Sequence, residues 1–211
     1  MKSLRKIFCT IAVLIAVIIA VGVGSKYIIK EKIFPYKYKE YVDAYSAQYN
    51  LDPLFVLAVI KTESNFDDDA HSHKNAVGLM QITVETGEWA AKQMNYSTFS
   101  KDDLYNEEYN IRMGCWYLRR LNDTFNKDLD LTIASYNAGP TNVQTWLDNE
   151  KYSSDGKSIE YIPFGETKKY VDKVNTYYNV YKYIYSGRKS YSDTDKIVEL
   201  IKSFWTVNFL S

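Results

Sequence analysis

Cysteine is scarce: Cys9 and Cys115 are the only two in 211 residues. Two cannot make a disulfide framework, and their different settings argue against even one bridge. Histidine is equally scarce, with His71 and His73 the only pair. They have no third committed ligand, and neighbouring Asp67, Asp68 and Asp69 lack the spacing and glycine of a calcium loop. No metal and no cofactor is therefore expected. Four prolines and nine glycines exclude a collagen-like or low-complexity chain. Net charge is also missing, because 26 basic residues balance 26 acidic ones. Lys2, Arg5 and Lys6 lie ahead of the first apolar run and leave a slightly acidic remainder, which argues against a nucleic-acid partner. Alternating strand patterns are nearly absent, so the fold class is mainly α. What the chain does have is a 46% hydrophobic, 16% aromatic composition at a length suited to one domain.

The longest apolar run comes first. From Ile7 to Gly24 there is no charge, and only Thr10 carries a polar side chain. At 1.5 Å per residue that run reaches about 27 Å, close to the roughly 30 Å of a bilayer core. The basic residues before it should stay cytoplasmic and the chain after Ser25 should lie outside. Residues 1–25 read as an N-terminal membrane anchor, with a cleaved signal sequence as the alternative. Residues 26–39 read as a juxtamembrane linker and 188–211 as a C-terminal helical extension, leaving 40–187 for the main domain.

Within that domain, a first helix should follow Pro35. Asp52 and Pro53 make a good helix start, with the aspartate capping free amides and the proline losing nothing at the first position. Leu54 to Ile60 is apolar on every side, which points to a buried helix. Ile111, Cys115, Leu118, Leu121 and Phe125 form a helical stripe. Leu129 to Tyr136 predicts a short helix stopped by Ala138-Gly139-Pro140, with Thr141 capping the next. Residues 149–165 read as a loop. A long helix is expected from about Thr167 to Tyr185, with Tyr170, Tyr177 and Tyr181 as core or rim. A terminal helix from about Asp193, carrying Phe204, should dock on the domain.

One carboxylate stands out. Glu63 closes the apolar helix in Ile60-Lys61-Thr62-Glu63-Ser64-Asn65-Phe66. A carboxyl at the end of a buried helix is partly desolvated, which disfavours its charge and raises its pKa. A general acid working near neutral pH needs that shift.

Glu63-Ser64, Ser72, Gly78-Leu79-Met80-Gln81-Ile82, Ser135-Tyr136-Asn137-Ala138-Gly139-Pro140 and Ile162-Pro163 with Glu166 and Tyr170-Val171 occur in that order. This succession resembles the lytic transglycosylases of the soluble-lytic-transglycosylase (SLT) type, across roughly residues 40–187. The resemblance implies a lysozyme-like helical domain of the goose type with a glycan groove. It also implies cleavage of the MurNAc–GlcNAc β-1,4 bond of peptidoglycan, without water, to a 1,6-anhydro end. It puts the catalytic acid/base on Glu63, supported by Tyr136, Ser72 and Glu166. Ser64, Met80, Gln81 and Asn137 fall on substrate-binding positions. Asn75-Ala76 replaces the family's frequent Gly-Ala, and asparagine tolerates a left-handed backbone well enough for the turn to survive. Asp67-Asp68 replaces the usual Asn-Pro.

The resemblance implies one carboxylate in two successive roles, in place of the acid pair of ordinary glycosidases. The partners expected are peptidoglycan glycan strands, the membrane through the N-terminal helix, and an envelope machine that needs a local gap in the wall. Two other classes stay open: a hydrolase of the goose-lysozyme kind, and a membrane-tethered glycan-binding scaffold without activity.

Overall fold

The computed structural model describes residue 24, residues 27–186 and residues 201–210. The expected span from Ile7 lies outside the described residues apart from Gly24. So do the expected stop at Gly187 and the start of the terminal helix. Among the described residues no helix is long and apolar enough to cross a membrane. Two compact units are distinguished, residues 1–37 and 38–211. The first contains a π-helical turn at Ile29–Ile33.

The second unit is mainly helical. Its helices are α1 (Lys39–Gln48), α2 (Pro53–Glu63), α3 (Val84–Gln93), α4 (Glu107–Thr124), α5 (Leu129–Ala138), α6 (Pro140–Leu147) and α7 (Gly165–Tyr185). Among the described residues the only sheet pairs β1 (Ala76–Val77) with β2 (Ile82–Thr83) antiparallel, Val77 facing Ile82.

Helix α2 is the centre of the unit. The Asp52 carboxylate accepts from the Leu54 amide at 2.8 Å, and Pro53 takes the first position. Phe55, Val56, Leu57, Ala58, Val59 and Ile60 are all buried, so the helix is enclosed on every side. Each large side chain there stabilises the fold by about 2 kcal/mol relative to exposure. Helix α7 packs along α2 and contributes Val171, Val174, Tyr177 and Tyr181 to the same core. On α4, the stripe of Ile111, Cys115, Leu118 and Leu121 is buried as the periodicity requires. Desolvation pushes the Cys115 thiol far above its ordinary range, which leaves it an inert core group.

The α5–α6 corner differs from the expectation that Thr141 caps α6. Gly139, at φ +86°, ends α5 and also serves as the residue before α6, with Pro140 in the first turn. A proline lacks the amide that a first turn leaves unpaired anyway, so it begins α6 where it ends α5. Thr141 already lies inside that turn, its carbonyl accepting from the Thr145 hydroxyl. Helix α7 starts at Gly165, slightly ahead of the expected Thr167. The described C-terminal residues dock on α7: the Tyr177 hydroxyl donates to Asn208 Oδ1 at 2.6 Å, and the Phe204 ring lies 6.3 Å from that of Tyr177.

Candidate active site

Glu63 is the last residue of α2, where the apolar helix meets a turn. Asn65 and Phe66 both adopt left-handed backbone, with φ of +52° and +67°. For phenylalanine that conformation is strained, and two contacts hold it. The Phe66 side chain is buried, and the Ser64 hydroxyl accepts from the Phe66 amide at 3.1 Å. The same hydroxyl donates to Leu79 O at 2.9 Å. Ser64, expected among the substrate contacts, therefore ties the end of α2 to the segment between β1 and β2.

That segment is fixed from α4. Asn110 is fully buried; its Oδ1 accepts from the Met80 amide at 2.8 Å, and its Nδ2 donates to Val77 O and Leu104 O at 2.9 and 2.8 Å. Gly78 lies so close that a Cβ built there would be 2.4 Å from Asn110 Nδ2 and from Leu104 O. Its φ of +76° also favours glycine. Asn75 takes the left-handed conformation, φ +58°, for which asparagine is suited. Gln81 is likewise left-handed, and its Nε2 donates to Ala70 O and Gly78 O, both at 3.0 Å. The Gln81 amide nitrogen is thus committed to the loop, and its carbonyl oxygen is the end left for other partners.

Met80, expected to line a groove, has its side chain wholly buried. The cause is Gly114 on α4, where even a Cβ would lie 2.3 Å from Met80 Sδ. Met80 enters the site through its backbone: its carbonyl accepts from the Tyr136 hydroxyl at 2.8 Å. Ser72 is half-buried, and its hydroxyl oxygen accepts from the Lys74 and Ala76 amides at 3.2 and 3.1 Å, leaving its own proton to donate. Asn137 Oδ1 accepts from the Thr167 hydroxyl at 2.9 Å, joining the end of α5 to the first turn of α7. Glu166, expected to hold the site together, is exposed and pairs with Lys74 across 3.5 Å. Such a pair contributes little, and the brace at this corner is Asn137 with Thr167.

Tyr170, expected as core or rim on the α7 stripe, is half-buried there and does more than pack: its hydroxyl donates to Glu63 Oε1 at 2.5 Å. The Glu63 carboxyl is pushed up to about 7 by burial, while the Tyr170 hydrogen bond and the Lys173 ammonium pull the other way. Desolvation is the larger effect, as for any carboxylate removed from water without a full counter-charge. Burial, followed by the negative charge of Glu63, keeps both Tyr136 and Tyr170 well above the usual phenol range. Both therefore remain donors at any working pH. Lys61 is lowered to about 8 by burial and then by Lys173, and its Nζ donates to Asn65 Oδ1 at 3.0 Å. The arrangement is a half-buried proton-carrying carboxyl held by one phenol, with a second phenol and one ammonium close by.

Known proteins resemble this chain in the same region. Residues 40–159 match the family model described as the transglycosylase SLT domain. The soluble lytic murein transglycosylase of Escherichia coli K12 is 32% identical over 155 residues, 72% of this chain and 24% of that one. A membrane-bound lytic murein transglycosylase C from Cronobacter sakazakii is 29% identical, over 70% of this chain and 47% of its own length. Among solved structures, an inactive glutamate-to-glutamine mutant of the lytic transglycosylase Slt from Pseudomonas aeruginosa superposes with a TM-score of 0.64. It is 32% identical over 71% of this chain and 24% of that one. The chain thus matches about a quarter to a half of the length of these proteins. The mainly helical unit carries the lysozyme-like fold of the SLT group.

Proposed function

The chain belongs to the transglycosylase SLT domain family, and from that premise we propose that it is a peptidoglycan lytic transglycosylase using Glu63 as acid and then as base. The observation that carries the reading is the Glu63 carboxyl, raised to about 7 by burial while hydrogen-bonded to Tyr170. At neutral pH such a group is divided between its two forms, which suits one residue to give and then take a proton.

In the first step Glu63 delivers its proton to the glycosidic oxygen between MurNAc C1 and GlcNAc O4, and the C1–O4 bond breaks. The oxocarbenium-like centre left at C1 takes its electron pair from the sugar's own C6 oxygen. Glu63, now a carboxylate steadied by the Tyr170 hydroxyl and the Lys173 ammonium, removes the C6 hydroxyl proton as the C1–O6 bond forms. Glu63 ends protonated, and no water is consumed. The nucleophile belongs to the same sugar, so its high effective molarity replaces a base that would activate water. The groups that act on Glu63 are a phenol and an ammonium, with no second carboxylate among them in the described residues. Ser72 and the free carbonyl end of Gln81 are the groups assigned to orient the sugar, with Tyr136 supporting the loop through Met80 O. Removal of one such polar contact from a preorganised site generally costs about two to three powers of ten in rate.

The tether belongs to the same reading. Lys2, Arg5 and Lys6 ahead of the apolar run from Ile7 favour a domain held outside the cytoplasmic membrane. The membrane-bound relative is compatible with that address. A tethered enzyme acts only on wall within reach, as an envelope machine requires. Separation of membrane and soluble fractions tests the anchor, and recovery of the full-length chain in the soluble fraction would oppose it.

Mass spectrometry of fragments released from purified peptidoglycan tests the chemistry. Fragments with 1,6-anhydro ends from the wild type and none from Glu63→Gln are expected. Ordinary reducing ends would assign the site to a hydrolase, and equal inactivity of both proteins would point to a glycan-binding scaffold.

A further inference from the structure

Helix α3 buries its small residues, Gly87, Ala90 and Ala91, and exposes its largest, Trp89, which keeps 40% of its surface open. A single exposed indole is ordinary on a protein surface, but Trp89 is the outermost member of a contiguous aromatic group. Trp89 meets Trp116 edge-to-face at 5.0 Å and Tyr117 edge-to-face at 6.1 Å. Tyr117 in turn lies 5.4 Å from Tyr136, whose hydroxyl is bound to Met80 O and whose phenol feels the charge of Glu63. Trp116, Tyr117 and Tyr136 are all half-buried. An unbroken series of partly open rings therefore runs from the neighbourhood of the Glu63 carboxyl out to Trp89. There it meets an open pocket of about 570 Å³ lined by Trp89 together with Glu85, Glu88 and Lys92.

We propose that Trp89 and Trp116 form a distal sugar-binding platform that grips an N-acetylated pyranose of the glycan strand, away from the bond being cut. The inference rests on the glycan reading of the Glu63 site and extends it to strand-length recognition. An indole face matches the C–H face of a pyranose ring, while the carboxylates of Glu85 and Glu88 and the Lys92 ammonium suit the hydroxyl and acetamido groups at its rim. Continuity with Tyr117 and Tyr136 favours a strand that already lies at Glu63 over a separate protein partner. Nothing in the platform takes part in proton transfer, so it governs which strands are held and leaves the chemical step alone.

The test is equilibrium binding of peptide-free glycan oligomers, from disaccharide to octasaccharide, by the full chain in detergent carrying Glu63→Gln. Affinity should rise with length, and Trp89→Ala should weaken the octasaccharide about tenfold while leaving the disaccharide unchanged. Trp116→Ala should act in the same direction, and Trp89→Tyr should restore most of the loss. An unchanged length dependence in Trp89→Ala would overturn the platform, as would an equal loss at every length. Binding of no oligomer by the parent would end it too. Fragment-end analysis of the parent without Glu63→Gln judges the catalytic reading separately.

Discussion

Glu63→Gln should remove activity and yet stabilise the protein, by an amount that depends on pH. The Glu63 carboxyl rises from 4.5 to about 7 on folding, so the folded state favours its protonated form. A carboxyl raised in this way contributes its stability fully below the unfolded pKa, and the contribution is lost as pH rises through the folded pKa. Across that window the unfolded chain gains by ionising while the folded chain does not, a difference of about 3 kcal/mol for the shift from 4.5 to about 7. Glutamine cannot ionise, so its stability relative to wild type should improve by about 3 kcal/mol between pH 4 and pH 8. For a domain of this size that corresponds to a relative gain of about 6–12 °C in Tm. Subtracting wild type from variant cancels every other titrating group, and the Tyr170 bond to the ionised carboxylate is already contained in the folded value of about 7. Denaturant titrations of both proteins at pH 4, 6 and 8 measure the difference. A gap that does not change with pH would refute the desolvation of Glu63 on which the chemistry depends.

Other expectations follow from the same contacts. Tyr170→Phe deletes a hydrogen bond to the carboxylate, worth about 1.5–3 kcal/mol, so the alkaline limb of the rate profile should move up from about 7 by about 1 pH unit or more. Lys173→Gln should move it the same way by less, and a downward shift in either would contradict the assigned signs. Asn110→Ala strands the Met80 amide and the carbonyls of Val77 and Leu104 in the core, costing about 3 kcal/mol or more in urea unfolding. An effect under 1 kcal/mol would show that the loop does not depend on it. Gly78→Ala should lower Tm by several degrees and depress turnover with it, because both φ and the 2.4 Å approach exclude a Cβ.

The frame of the fold was readable because it rests on local rules. Asp52-Pro53 announces the start of α2, the unbroken apolar run after it announces burial, and the spacing from Ile111 to Leu121 marks one face of α4. The α5–α6 corner was less readable, since Pro140 both ends and begins a helix and sequence alone shows only the ending. At the site, Glu63 was legible from its position after the apolar helix only together with the ordered motifs that follow it. The roles of its neighbours were not, because they depend on atoms brought from other helices. Met80 is buried only because Gly114 opens space for it on α4, and Ser64 turns inward to Leu79. Asn110 carried a faint signal, as a polar residue beside Ile111 on a buried stripe. Tyr170 was marked only by its place in the Tyr170-Val171 motif, since its helical spacing does not separate it from Tyr177 or Tyr181. What distinguishes it is that α7 lies along α2 with Glu63 at that level.

The most direct measurement is a titration of the Glu63 side-chain carboxyl by carbon NMR in protein labelled at glutamate, with Glu63→Gln supplying the assignment. One carboxyl resonance, missing from Glu63→Gln, should titrate with a midpoint near 7. If every carboxyl resonance titrates in the ordinary carboxylate range, around 4 to 5, Glu63 is an exposed surface acid and the proposed proton cycle has no donor.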